Sequence, residues 1–183
     1  KGWSEHLRSG SADEVLRRIC GADGRYRWFL CCTEPLLAED GTRQGWIGIN
    51  IDVQDRKQAE FYLAEGERIG RLGTWAFNAT SVEYWSDGLF RIHGIEPGNP
   101  PTTPELLAIV HPEDRAFMAQ AVRTMLAEKN AFDFTKRIVR SDGAIRHIRY
   151  VGKPVTDAEI FKGFVGIGMD VTEQLRLVSE LRQ

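Results

Sequence analysis

The sequence contains few cysteines, has no long hydrophobic run and carries almost balanced charge. Its 183 residues include three cysteines, and the adjacent Cys31 and Cys32 are poorly placed for a disulfide with each other. No C-x-x-C spacing indicates zinc. No run approaches the roughly 18 apolar residues of a membrane span, and residues 1–5 lack the apolar stretch of a signal peptide. These absences predict a cytoplasmic segment with reduced cysteines that does not insert directly into a membrane.

Charge and motif content exclude two more classes of protein. The formal net charge is -2 at pH 7, so no bulk basic charge is available for a nucleic-acid partner. The sequence also lacks a phosphate-binding glycine loop and the HExxH and GxSxG motifs of hydrolases. We therefore predict a segment that is not an enzyme, with no catalytic residue and no metal site.

Two blocks of sequence recur in the same order with almost constant spacing. Residues 23–28, DGRYRW, resemble residues 142–147, DGAIRH, and residues 46–53, WIGINIDV, resemble residues 164–171, FVGIGMDV. The offsets are 119 and 118 residues, and a charged helical segment follows each copy. Because both matches have the same connecting length, they predict two copies of one structural unit.

Each copy has the pattern of an antiparallel meander. In the second copy, Asp142-Gly143 is a strong hairpin signal, and strands are predicted over residues 132–139, 145–151 and 163–170. Alternation divides the last strand into one face with Val165, Ile167 and Met169 and another with Phe164, Gly166 and Gly168. The glycine face would admit a ligand or another backbone, and weak packing at the rim of the sheet is the alternative.

The sequence between the two meanders predicts a helical connector and the first part of a second domain. Residues 55–70 are charged and helix-favouring, and two short strands are predicted at 73–78 and 82–85. Helices are expected to begin at Ser86-Asp87, Thr103-Pro104 and His111-Pro112, the last being the longest. This order of strands and helices predicts an α+β domain in which an antiparallel sheet carries helices on one face.

These elements carry a set of short motifs in a fixed order. The motifs are Gly73-Thr74-Trp75, Tyr84-Trp85-Ser86, His111-Pro112-Glu113-Asp114, Arg137 to Gly143 and Gly166 to Glu173. Together they resemble the PAS superfamily, in its common bacterial type with a closing PAC motif. The resemblance runs from about Ile69 to the C-terminus and implies the PAS fold, with a five-stranded antiparallel sheet.

The resemblance implies four segments of unequal kind. Residues 1–53 resemble the C-terminal part of a first PAS domain, which begins in its long helix over Trp3 to Arg8. Residues 54–70 are expected to form the connector, and residues 71–172 are expected to form a complete PAS domain. Residues 173–183 are expected to be the start of an output helix. In a PAS sheet the last strand pairs with the first, which the partial unit lacks. The strand around Trp46 to Asp52 would then have an unpaired apolar edge, so we expect a homodimer or strand exchange unless it packs on the complete domain.

The resemblance also implies where a small molecule would bind, in a core pocket between the sheet and the helices. The residues expected to line this pocket are Trp75, Phe90, Phe134, Lys136, His147 and Val165. Lys136 either snorkels to solvent or faces an anionic ligand. His147 stands where the first copy has Trp28, and it is either a half-buried packing residue or a polar group of the pocket.

Residue types disfavour the cofactors of known PAS domains. The flavin-binding light sensors need a reactive cysteine in a short helix, whereas all three cysteines lie outside the complete domain. Haem-binding PAS domains usually supply a histidine from the long helix, and residues 113–129 contain none, which leaves His111 as the only substitute. The expected cofactor is therefore either an unidentified small organic ligand or none.

In PAS proteins the closing motif marks the joint between the sheet and an output helix. Asp170 or Thr172 can accept hydrogen bonds from the free N–H groups of that helix, and Glu173 lies in its positive first turn. In the first copy, Asp52 and Asp55 occupy the equivalent joint before the connector helix. We therefore predict a sensory module that controls an effector domain in the same parent chain, a histidine kinase first and a diguanylate cyclase next. The alternative is a ligand-free module for dimerisation and protein interaction.

Overall fold

The chain is divided into two structural units, and one helix spans the boundary between them. A computed structural model describes residues 11–78 and 80–182, and it divides the chain into a first unit, Lys1–Leu63, and a second unit, Ala64–Gln183. The helix predicted over Trp3 to Arg8 lies outside the described residues. Among the described helices, none is both long enough and apolar enough to cross a membrane.

The first unit contains a three-stranded antiparallel sheet. Its strands are β1 (Asp13–Cys20), β2 (Tyr26–Leu37) and β3 (Arg43–Asp52), in the order β1-β2-β3. In the turn between β1 and β2, Gly24 has a φ of 78°, which an L side chain adopts at a cost. Helix α1 (Gln54–Gly70) begins two residues after β3 and continues into the second unit. Because β3 pairs only with β2 among the described strands, it is an edge strand, as the sequence predicts.

The second unit is an α+β domain with a five-stranded antiparallel sheet, which confirms the predicted fold class. The strands are β4 (Leu72–Asn78), β5 (Val82–Trp85), β6 (Phe132–Val139), β7 (Ile145–Asp157) and β8 (Ile160–Asp170), in the order β5-β4-β8-β7-β6. Between β5 and β6 lie α2 (Asp87–His93), α3 (Thr103–Ile109), a 3-10 turn (Pro112–Asp114) and α4 (Arg115–Glu128). Helix α5 (Thr172–Glu180) follows β8.

The core lies between the sheet and α2, and glycines on the sheet make room for it. Leu89 of α2 and Phe164 of β8 are almost completely buried. A Cβ on Gly166 would lie 2.6 Å from Cζ2 of Trp75, and one on Gly152 would lie 2.7 Å from Cη2 of the same indole. The glycine face of β8 is therefore the core face, covered by large side chains, and the interpretation as a weakly packed rim is wrong.

Strands β7 and β8 are longer than their predicted ranges, 145–151 and 163–170. They are joined by Ala158 and Glu159, both with positive φ, in a two-residue turn that contains no glycine. Gly152 and Pro154 interrupt the sequence pattern of a strand, yet the structure tolerates both. Strand β6 pairs with β7 only as far as Gly152, so Pro154 lies where β7 has one neighbouring strand.

The helix starts differ from the predicted ones in detail. The N-cap of α3 is Thr102 rather than Thr103, and it forms a capping box with Glu105. His111 does cap its segment, because its Nδ1 accepts a hydrogen bond from the Glu113 N–H at 3.4 Å. The segment that it opens is a 3-10 turn, and α4 begins only at Arg115.

Candidate functional site

A cavity of about 140 Å³ lies between the inner face of the sheet and helices α3 and α4. Its walls are mostly aromatic and aliphatic, with Trp75, Phe134 and Tyr150 from the sheet and Met118 from α4 among them. Apolar walls with a few polar groups are the usual composition of a small-molecule site.

Lys136 contributes the charged group of this cavity. Its side chain projects inward from β6 on the same face as Phe134 and Ile138, and only 9% of the residue is exposed. The Nζ atom lies 4.6 Å from the centroid of the Tyr150 ring and has no hydrogen bond or ion pair within residues 11–78 and 80–182. Burial lowers the pKa of the Lys136 ammonium to about 8. The expectation that Lys136 snorkels to solvent is therefore wrong.

Tyr150 is held in the cavity wall by His93. The His93 Nδ1 lies 2.8 Å from the Leu89 carbonyl oxygen, and its Nε2 lies 2.7 Å from the Tyr150 hydroxyl. Because a carbonyl only accepts, Nδ1 donates to it and Nε2 accepts from the hydroxyl. Desolvation lowers the pKa of His93 to about 4 and raises the pKa of Tyr150 above its ordinary value. Both side chains are therefore neutral at physiological pH, and the Tyr150 proton points to His93.

The Trp75 indole supplies a second unused donor. Its Nε1 is buried and has no hydrogen-bond partner among the described residues. An indole N–H can only donate, and a buried donor without an acceptor costs free energy. Trp75 is one of the residues that line the cavity, so a ligand acceptor placed beside Nε1 would receive this hydrogen bond.

Three of the six predicted pocket residues line the cavity, namely Trp75, Phe134 and Lys136. The other three predictions are corrected. Phe90 lies in the core, edge-on to Trp85 at 5.5 Å, outside the cavity lining. His147 and Val165 lie on the opposite face of the sheet, because their strand neighbours Ile148 and Phe164 point into the core.

A network of hydrogen bonds joins the sheet to helix α5. An Asp170 carboxylate oxygen accepts from the Thr172 N–H at 3.0 Å and from the Thr172 hydroxyl at 2.5 Å. The Thr172 Oγ1 in turn accepts from the His147 N–H at 2.8 Å. Glu173 forms an ion pair with Arg71, whose carbonyl accepts from the Asp170 N–H at 3.1 Å. The predicted joint residues therefore meet at the start of α5, and His147 takes part through its backbone.

The first unit contains the same type of joint. Asp52 accepts from the Gln54 N–H at 2.9 Å and from Arg27 Nε at 2.7 Å, and the Arg27 hydrogen bond lowers the pKa of Asp52. Gln54 Oε1 accepts from the Trp28 N–H at 3.1 Å, as Thr172 does from the equivalent N–H in the second unit. The Asp55 carboxylate lies 3.7 Å from the Arg27 guanidinium, at the periphery of this joint.

An ion pair that the sequence pattern did not reveal connects α4 to the sheet. Asp114 accepts from the Arg137 N–H at 2.7 Å and from the Arg137 guanidinium at 2.5 Å. This contact lowers the pKa of the Asp114 carboxyl. Asp114 therefore fixes the start of α4 against β6 beside the cavity.

Comparisons with known sequences agree with this architecture. Residues 82–166 match the family described as PAS fold, and residues 1–55 match a PAS domain family. The uncharacterized protein y4lL of Sinorhizobium fredii is 24% identical over 94% of this chain and 22% of its own length. The probable diguanylate cyclase DgcE of Escherichia coli is 28% identical over 98% of this chain and 17% of its own length. The chain thus spans about a fifth of the length of these relatives.

Solved structures show the same fold. A sensory box histidine kinase/response regulator from Burkholderia thailandensis is 28% identical, with a TM-score of 0.52 over 67% of this chain and 92% of the other. The N-terminal domain of a diguanylate cyclase with PAS/PAC sensor from Marinobacter aquaeolei is 19% identical, with a TM-score of 0.53 over 57% of this chain and 98% of the other. The second similarity shows the fold alone.

Proposed function

This chain belongs to the PAS superfamily of sensor domains, and from this premise we propose a function for its second unit. We propose that the second unit binds a small ligand in the cavity and transmits the resulting conformational change to helix α5. One observation carries the proposal. Strand β7 supplies both Tyr150, in the cavity wall, and the His147 N–H that binds Thr172 at the joint. A ligand that moves this part of β7 therefore acts directly on the first turn of α5.

The effector that α5 would control is a second part of the proposal. We propose a histidine kinase or a diguanylate cyclase in the same parent chain. Two of the similar proteins named above support this choice, because one is a sensory box histidine kinase/response regulator and the other carries the name probable diguanylate cyclase. Each is matched through a region that aligns with PAS sequence, so the similarity supports the class of parent protein and leaves the output itself to experiment.

Asp170→Ala tests the coupling between cavity and helix. A thermal-shift screen with a metabolite library first identifies a compound that raises the melting temperature, since a ligand of the native state stabilises it by mass action. In the wild type, that compound is expected to change hydrogen exchange at amides 172–176. In Asp170→Ala, the compound is expected to bind still, but it should no longer change hydrogen exchange at the α5 amides.

A matched control for this substitution lies in the turn between β6 and β7. Asp142 accepts from the Ala144 N–H at 3.0 Å, so Asp142→Ala removes a similar local hydrogen bond at the start of β7. This control is expected to keep the ligand-dependent change at α5. Unchanged coupling in Asp170→Ala would remove the assigned role of the joint, and a library without any binding compound would contradict the sensor function.

Dimerisation through the first unit is the second candidate function. Edge strand β3 carries Ile47, Ile49 and Ile51, which are 46–58% exposed on one face. The equivalent strand of the second unit, β8, pairs with β4 on the edge that β3 leaves unpaired. An exposed apolar edge strand favours pairing with another chain. We therefore propose that β3 pairs with a strand of a second copy.

Ile49→Asp is expected to convert such a dimer into a monomer, because it places a charge in the middle of β3. Light scattering at high protein concentration should give twice the 20.7 kDa chain mass for the wild type and the chain mass for the variant. Gln44→Asp, near the start of the same strand and already polar, is the control and should leave the mass unchanged. A monomeric wild type would contradict the proposal.

A further inference from the structure

We propose that the cavity of the second unit binds a small carboxylic acid with an apolar body, its carboxylate facing Lys136 and Trp75. This inference deepens the proposed sensor function and depends on it, because it names the chemical class of the ligand. It follows from the charge, the donors and the size of the cavity.

The charge of the cavity is positive and lacks a counter-ion. Of the residues that line it, only Lys136 and Tyr150 can ionise, and Tyr150 is neutral because burial raises its pKa. No aspartate or glutamate lines the described cavity. A buried ammonium without an anion is strongly unfavourable, and a ligand that brings the anion removes that cost. This favours an anionic ligand over a neutral or cationic one.

Two of the residues that line the cavity carry an unused hydrogen-bond donor. Lys136 Nζ and Trp75 Nε1 are both without hydrogen-bond acceptors in the described chain. The Tyr150 hydroxyl uses its proton on His93, so it adds no further donor. A carboxylate has two acceptor oxygens, which matches one ammonium and one indole N–H. Lys136 and Trp75 offer no acceptor to the N–H donors of an amine.

The size of the cavity limits the apolar part of the ligand. Its volume of about 140 Å³ is close to that of an engineered protein cavity of about 150 Å³ that binds benzene. One aromatic ring or a short branched chain therefore fills it. Thr103 and Leu107 of α3 are part of the lining, and Leu107 is 43% exposed, which places the rim of the cavity at this helix.

The experiment compares matched acids and amides on the intact chain. The probes are benzoate, phenylacetate and isovalerate, each beside its neutral amide, with benzylamine as a cation. At least one acid is expected to raise the melting temperature and to give a dissociation constant by calorimetry, whereas its amide and the amine bind at least tenfold more weakly. Lys136→Met should weaken the acid at least tenfold. Lys153→Met, an exposed position on β7, should leave its affinity unchanged.

Two further readouts separate an ionic contact from a change in packing. Trp75→Phe keeps an aromatic ring and removes the N–H, so it should weaken the acid and leave the amide unchanged. Acid affinity should fall as the pH rises through 8, where free Lys136 loses its proton, while the neighbouring Tyr150 and His93 stay uncharged. Melting curves confirm that each variant is folded.

Distinct outcomes overturn the inference and the sensor function. Equal binding of acid and amide, or full acid binding by Lys136→Met, would overturn the carboxylate assignment and leave a sensor of neutral ligands. Binding of none of the acids would also overturn it. The sensor function itself fails only if the metabolite library yields no ligand of any class or no change at α5.

Discussion

Gly166→Val is expected to destabilise the second unit by about 3 kcal/mol or more, at or above the upper end of the range for overpacked cores. A Cβ at this position would lie 2.1 Å from the Val151 carbonyl oxygen and 2.6 Å from the Trp75 ring. The first contact is with the backbone of β7, which cannot move without breaking its pairing with β6 or β8. Hydrogen exchange of the β7 amides, which reports on the second unit alone, measures the loss.

Gly45→Val is the matched control for this prediction. Gly45 also lies in a strand, β3, and its Cβ would have no atom within 4 Å. A β-branched residue is favourable in a strand, so exchange of the first sheet should be unchanged or slower. Native exchange rates in Gly166→Val would contradict the placement of the Trp75 indole over the glycines of β7 and β8.

The sequence predicted the order of elements because the signals for that order are local. The hairpin residues Asp142-Gly143 and the repeated closing motif each act over a few positions, and two copies at one spacing reinforce each other. Asp170 and Thr172 were found for the same reason, since a helix start is set by residues within one turn of it. The α+β class followed from this order, the five-stranded sheet was implied by the PAS resemblance, and both are confirmed.

The sequence could not show in the same way which face of the sheet is covered by the core. Alternation separates Val165 from Phe164 correctly, but it does not say which side is covered. The face with Val165 has the greater apolar content, yet the glycine face turns inward because Trp75 and Leu89 occupy the space above it. Packing partners far along the chain decide the question, and this is why Val165 and His147 were placed in the pocket wrongly.

The polar network behind the cavity was missed for a related reason. His93 and Tyr150 are 57 residues apart and belong to different elements, so no motif joins them. The signal that could have found the pair is strand parity, because Tyr150 shares the inner face with Ile148, and a tyrosine buried there needs a partner for its hydroxyl.

Phe164→Ala is expected to cost the second unit about 3–5 kcal/mol, a large share of the stability of an ordinary domain. Phe164 is 1% exposed, and its ring centroid lies 5.6 Å from that of Phe132 and 5.1 Å from that of Phe161. Removal of the ring leaves a hole beside Phe132 and Phe161 that the rigid sheet cannot close. Exchange of the β7 amides gives the loss in free energy. Phe117→Ala is the control, because this side chain is 50% exposed and its removal should cost about 1 kcal/mol. Equal losses in free energy at both positions would contradict the burial of Phe164 in the core.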